Sequence, residues 1–248
     1  MSTAPQLRLR SIAAVTLTAL AVGGLGACGA LNDKVVKDDS KVAQKITSVR
    51  IDTASGGVRL RGKQGLGEVA VHREITYRNA KPEGPTYHVE NGVLVLESCG
   101  SHCSVDYTVD VPAGIPVTGS TDAGALKLSA VGAVRVSTSD GEITVQGASG
   151  PVDVHTANGA INATGLKGTG VKAQASNGSI SITPATRQDV RAQTSNGSIS
   201  VTAPSGPYRV SAQTQNGNKN IGITDSPSAP HQLDLTTGNG AITLKSAK

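Results

Sequence analysis

Apolar and polar residues alternate with a period of two through most of the chain. Val152, Val154 and Thr156 alternate with Asp153 and His155, and after a turn Ile161 resumes the apolar face. Such alternation predicts strands with one face buried. Eight segments repeat the pattern T-x-x-G-x-[ILV]-x-[ILV]: Thr53–Leu60, Thr121–Leu128, Thr138–Val145, Thr156–Ala163, Ala175–Ile182, Thr194–Val201, Thr214–Ile221 and Thr237–Leu244. Departures are few: Ala175 replaces one Thr, Ala163 ends one copy and Lys219 interrupts an apolar position. Four residues before each copy begins stands a Val or, once, Leu233. Asn-Gly at the centre of most copies is a turn signal, because both residues tolerate positive φ. Each copy therefore reads as strand, turn, strand.

A meander of hairpins would use the same signals. Recurrence of the same residue type at the same offset favours stacking, in which each repeat buries its apolar row against its neighbours. The predicted fold is all-β: a β-solenoid of about 18–20 residues per coil over residues 117–248, near 30 Å long at the usual strand spacing. Stacked in chain order, Val134, Val152, Val171, Val190 and Val210 would form an inner column beside Ile143, Ile161, Ile180 and Ile199. Asn158, Asn177, Asn196, Asn216 and Asn239 would form a corner ladder starting at Asp140. Outward positions of the second strands would give a flat polar strip containing Thr144, Asn162, Ser181, Ser200 and Asn220. Hydroxyls and amides repeating at the strand spacing suit a regular polar ligand such as a glycan strand, although a solvated face needs no ligand.

Residues 61–116 do not fit the repeat. EVAVHREITY (68–77), TYHVENGVLVLE (86–97) and CSVDYTVDVP (103–112) read as strands, with a hairpin at Asn91-Gly92. Residues 46–116 are expected to supply a small β cap at the N-terminal end, since terminal coils expose apolar surface and unpaired edges. Lys245 and Lys248 would blunt the other end.

The N-terminus changes the setting. Arg8 and Arg10 precede an apolar run, Ser11–Leu25, followed by Leu25-Gly26-Ala27-Cys28. A basic start, a short apolar stretch and small residues before a cut describe a secretory signal, and the run is short of the ~20 residues needed to span a bilayer. With Cys directly after Leu-Gly-Ala it resembles a bacterial lipoprotein signal, in which that Cys carries the lipid and begins the mature chain. The resemblance implies a signal peptide over 1–27, a lipid on Cys28, a membrane partner through that lipid and an extracytoplasmic location. The small, polar residues 28–45 read as a tether with an r.m.s. span of roughly 20–25 Å.

Composition narrows the function. Of 248 residues 30 are Gly, Phe and Trp are absent, and Tyr occurs four times. A stacking surface for single-stranded nucleic acid needs several rings, and sugar subsites built on aromatic platforms are disfavoured for the same reason. Without residues 1–27 the balance is 21 basic against 18 acidic residues, too even for a nucleic-acid footprint. If Cys28 is lipidated, Cys99 and Cys103 remain as an even pair, and outside the cytoplasm such a pair oxidises. A ring this small stabilises by about 2 kcal/mol. A redox or metal site with His102 is the alternative, but the spacing is one residue longer than C-x-x-C and no fourth ligand is nearby. The acids of the repeats are scattered. Asp140, Glu142 and Asp153 come nearest to a cluster, while Arg135, Asp153 and Lys172 read as one outward row of alternating sign. No catalytic residue, metal site or cofactor is predicted.

The Cys pair running into CSVDYTVDVPAGIPV and the T-x-N-G-x-I-x-V coils together resemble the bacterial adhesin-like domain family, found on exported proteins and lipoproteins and largely without assigned function. The resemblance spans residues 46–244 and implies one adhesin-like domain over 46–248. It implies a non-enzymatic, envelope-anchored binding or structural module at the cell surface, with cell-wall glycan or a surface protein as partner. A polysaccharide-acting enzyme on a β-helix and a sensory or regulatory envelope protein are the alternatives.

Overall fold

The computed structural model describes residues 33–247. Seven strands precede the regular repeats: β1 (Lys34–Val42), β2 (Ser48–Ser55), β3 (Val58–Lys63), β4 (Val69–Tyr77), β5 (Tyr87–Glu90), β6 (Val93–Glu97) and β7 (Cys103–Pro112). The repeats follow as pairs: β8 (Val117–Ala123) and β9 (Leu126–Ser129), β10 (Val134–Asp140) and β11 (Ile143–Gln146), β12 (Val152–Asn158) and β13 (Ile161–Leu166). Then come β14 (Gly170–Asn177) and β15 (Ile180–Pro184), β16 (Asp189–Asn196) and β17 (Ile199–Ala203). Last are β18 (Arg209–Asn216) and β19 (Lys219–Ile221), β20 (Gln232–Asn239) and β21 (Ile242–Ser246).

Two sheets share one apolar core. The first, here sheet A, has 11 strands in the order β1-β4-β7-β3-β9-β11-β13-β15-β17-β21-β19. Sheet B has 10, in the order β18-β20-β16-β14-β12-β10-β8-β2-β6-β5. Each repeat sends its first strand to sheet B and its second to sheet A, and neighbouring repeats pair in parallel with like residues opposite: Val134↔Val152, Thr138↔Thr156, Ile143↔Ile161. The alternation read from the chain is the inside–outside alternation of these strands. Val152, Val154 and Thr156 are buried against Ile161 and Ala163 from the facing sheet. The first copy, Thr53–Leu60, joins the same stack: β2 pairs with β8 at Thr53↔Thr121 and β3 pairs with β9 at Leu60↔Leu128.

Two side chains and one backbone feature turn each corner. From Thr138 onward the motif Thr Oγ1 donates to the carbonyl of the glycine one layer away, as in Thr156 to Gly141 (3.0 Å), Thr194 to Gly178 (3.0 Å) and Thr237 to Gly197 (2.8 Å), whereas Thr121 donates to the Ala123 carbonyl at 3.4 Å and the buried Thr53 hydroxyl has no partner. Glycine is required there because layers touch; a Cβ at Gly159 would lie 2.0 Å from the Gly141 carbonyl oxygen. On the outside of the corner each Asn Nδ2 donates to the side-chain oxygen of the next layer, giving an unbroken ladder Asp140–Asn158–Asn177–Asn196–Asn239–Asn216 with steps of 2.8–3.0 Å.

That ladder departs from chain order, and so does the stack. The C-terminal pair β20 and β21 lies between β16/β17 and β18/β19, so Val190 pairs with Leu233 and Leu233 with Val210. The reason is burial. Ile242 and Leu244 fill an interior slot with 0% exposure, whereas β19 carries Lys219 where the other copies carry an apolar residue and is exposed throughout. A slot with neighbours on both sides goes to the copy that can bury two apolar side chains. The end slot accepts Lys219, whose Nζ donates to the Ala212 carbonyl at 3.4 Å; a lysine also discourages edge pairing. Lys219, rather than Lys245, therefore sits at the edge, and Lys248 lies outside the described residues.

At the other end β7 and β6 pair in parallel with β3 and β2, and β4, β1 and β5 add antiparallel. Residues 34–42, expected within a tether, are strand β1. KVVKDDSKV alternates, and Val36 and Val42 pack on the core. Its inward Asp38 accepts two bonds from Arg73 Nε (2.8 and 2.7 Å), and Arg73 also donates to Thr86 Oγ1 (3.0 Å) and stacks over Tyr87. The buried Tyr107 hydroxyl lies against Thr86 and the Glu97 carbonyl, 2.9 Å away. These polar groups close the end of the core. Cys99 and Cys103 are bonded to each other in the turn before β7, with Cα atoms 6.0 Å apart.

Candidate functional site

The outer face of sheet A is a flat polar surface. Thr144, Asn162, Ser181 and Ser200 stand in register on successive strands, as the sequence suggested, but the next layer supplies Thr243 and Asn220 follows it. A second row runs beside the first: Ser129, Gln146, Thr164 and Thr183 pair in register, and Thr202 pairs with Lys245. Toward the cap the first row continues through Lys127 to Arg59. At that end Glu142 accepts bonds from Asn162 Nδ2 (2.8 Å) and Thr144 Oγ1 (3.0 Å). These two donors, with Lys127 nearby, hold its carboxyl below the usual carboxylate range.

The outer face of sheet B differs. Thr118, Arg135, Asp153, Lys172, Arg191 and Asp234 form one row across six strands. Their ion pairs are long: Arg135–Asp153 4.0 Å, Lys172–Asp153 3.8 Å and Arg191–Asp234 3.7 Å. A groove of about 720 Å³ follows this row. The neighbouring row is uncharged amide and hydroxyl around His155, with Gln174 Nε2 donating to Gln193 Oε1 at 3.1 Å.

A family model described as Toastrack DUF4097 matches residues 36–246. The chain belongs to this family. Among solved structures it is similar to a candidate adhesin from Parabacteroides merdae ATCC 43184 (12% identity, 88% of this chain and 98% of that one, TM-score 0.46). It is also similar to one from Bacteroides fragilis NCTC 9343 (16%, 86% and 97%, TM-score 0.44) and to a candidate cell adhesion protein from Clostridium sporogenes ATCC 15579 (13%, 86% and 100%, TM-score 0.40). No curated protein matches.

The toastrack body separates the acids that lie close in sequence. Asp140 is at the corner, bonded by Asn158; Glu142 is on sheet A; Asp153 is on the outer face of sheet B. Among the described residues no three His, Cys, Asp or Glu side chains gather as a metal site would require. This dispersal and the family are consistent with a non-enzymatic protein. Cys28 lies outside the described residues. Three features escaped the sequence reading: the second row through Thr164 and Thr183, the groove on sheet B, and the Arg73–Asp38–Thr86–Tyr107 closure. Arg73 at an inward position of the alternating EVAVHREITY was a signal for the last; its partner Asp38 stood in a stretch read as tether.

Proposed function

We propose that this toastrack protein is an extracytoplasmic lipoprotein held by lipid on Cys28, and a non-enzymatic, adhesin-like binding or structural module. Its coils form a β-solenoid that presents the sheet A strip to cell-wall glycan or a surface protein. The observation that carries this reading is the pair of polar rows in register, Thr144–Asn162–Ser181–Ser200–Thr243 beside Gln146–Thr164–Thr183. Strand β1 begins at Lys34, six positions after Cys28. Six residues reach at most about 20 Å, so the lipid would hold the capped end near the membrane and the stack would project from it. Between Thr144 and Thr243 the first row is uncharged, and cations stand only toward its ends, Lys127 and Arg59 at the capped end and Lys245 of the second row at the other, so the middle of the strip suits neither a nucleic acid nor a densely charged partner.

Two measurements test it. Labelled palmitate should enter the wild type and be lost in Cys28→Ala; label retained by that variant contradicts the anchor. Wild-type protein should retain an envelope glycan or protein from detergent extracts, and Ser181→Tyr/Ser200→Tyr should lose it while keeping its melting temperature. Unchanged capture by the double variant removes the strip from the account.

A further inference from the structure

The groove on the outer face of sheet B lies on the side of the core away from the strip, and the two surfaces share no residue. Along the groove Asp153 is shared by two cations, Arg135 and Lys172, while Arg191 has Asp234; the third acid of the lining, Asp189, accepts from the Gln232 N–H at 2.9 Å and faces His231 Nδ1 at 3.5 Å. Lys172 and Arg191 are partners on adjacent parallel strands with no acid between them. Like charges placed directly opposite destabilise a sheet. The side chains of these three cations are 47–82% exposed, and their pairs are far longer than the 2.7–2.9 Å of a tight charge-assisted bond. They are therefore free to turn toward a ligand.

We propose that this groove binds an extended anionic glycan lying along the stack, with one carboxylate or phosphate seated between Lys172 and Arg191 and another at Arg135. Arg135 and Lys172 are two strands apart, about 9–10 Å, so the groove reads anionic groups at intervals. None of the groove's residues is aromatic, which disfavours single-stranded nucleic acid. An extended peptide would add to a free strand edge, but β10, β12, β14 and β16 are paired on both sides.

The test is titration of the purified chain with four probes: oligogalacturonate, an oligo(glycerol phosphate), neutral dextran of similar length and poly-glutamate. The expected result is salt-sensitive binding of at least one of the first two and none of dextran. Lys172→Gln/Arg191→Gln should weaken that binding about tenfold, and Asp153→Asn, which removes repulsion without removing a cation, should tighten it. Ser181→Tyr/Ser200→Tyr, on the other face, should leave it unchanged. Preference for the carboxylated or the phosphorylated oligomer identifies the source of the anion. Failure of both to bind, equal binding of dextran, equal or tighter binding of poly-glutamate, or indifference to the Lys172/Arg191 variant overturns the proposal without touching the strip.

Discussion

At five corners, those of Thr138, Thr156, Thr194, Thr214 and Thr237, a threonine and a glycine depend on one another. The glycine lets two layers approach until no Cβ fits, and the approach brings its carbonyl within reach of the next layer's buried Thr hydroxyl. Ala175 is the copy without that hydroxyl, and it is buried between Thr156 and Thr194. Ala175→Thr should restore the missing bond to Gly159 and raise stability by about 0.5–1 kcal/mol, read as a higher denaturant midpoint; a lower midpoint would mean that the site cannot hold the extra atoms. At the cap, burial pushes the Tyr107 phenol up to about 12, against about 10 in the unfolded chain. The fold favours the neutral form, so this contribution is whole below pH 10, falls as pH rises through that window and is gone above 12. Its size is about 2–3 kcal/mol. Tyr208 is raised by burial too, so the informative quantity is the difference: Tyr107→Phe should be less stable at neutral pH and lose less between pH 10 and 12. Identical alkaline slopes would remove Tyr107 from that role.

Strands are where the chain is easiest to read. Period-two alternation separates Ile199, which is buried, from Ser200, which is exposed. Ile199→Asp should bury an unpaired charge and cost roughly 3–5 kcal/mol, whereas Ser200→Asp should cost under about 0.5 kcal/mol; equal losses on denaturant titration would show that the register is misassigned. The strands of each copy, the inner Val and Ile columns and the Asn ladder were legible because they rest on local spacing. The order of the last two copies was not, because it depends on a competition for one interior slot between Ile242–Leu244 and the Lys219 copy, which are more than twenty residues apart. Strand β1 was missed for a related reason: KVVKDDSKV is polar enough to pass for a tether until Asp38 meets Arg73. The concavity along Arg135, Asp153 and Lys172 has no signature in the row itself, which reads equally well as a solvated face.

At the scale of the whole molecule, two unlike faces are carried on one core: a strip of hydroxyls and amides with charges toward its ends on sheet A, and spaced charges along a groove on sheet B. The composition follows from this build. Glycine columns bring the layers together and β-branched side chains and leucines fill most of the core; its three rings, Tyr77, Tyr107 and Tyr208, all lie outside strands β8–β17. Both faces depend on the order of the layers, since that order puts Thr243 beside Ser200 and Asp234 beside Arg191. Engineered disulfides measure it directly. Ser200 and Thr243 are outward partners on adjacent strands, within the Cα range a disulfide bridges, while Ser200 and Asn220 are two strands apart, about 9–10 Å and beyond it. Oxidised Ser200→Cys/Thr243→Cys should therefore yield the cross-linked peptide by mass spectrometry, and Ser200→Cys/Asn220→Cys should not. The reverse outcome would restore chain order to the stack and contradict the arrangement of both faces.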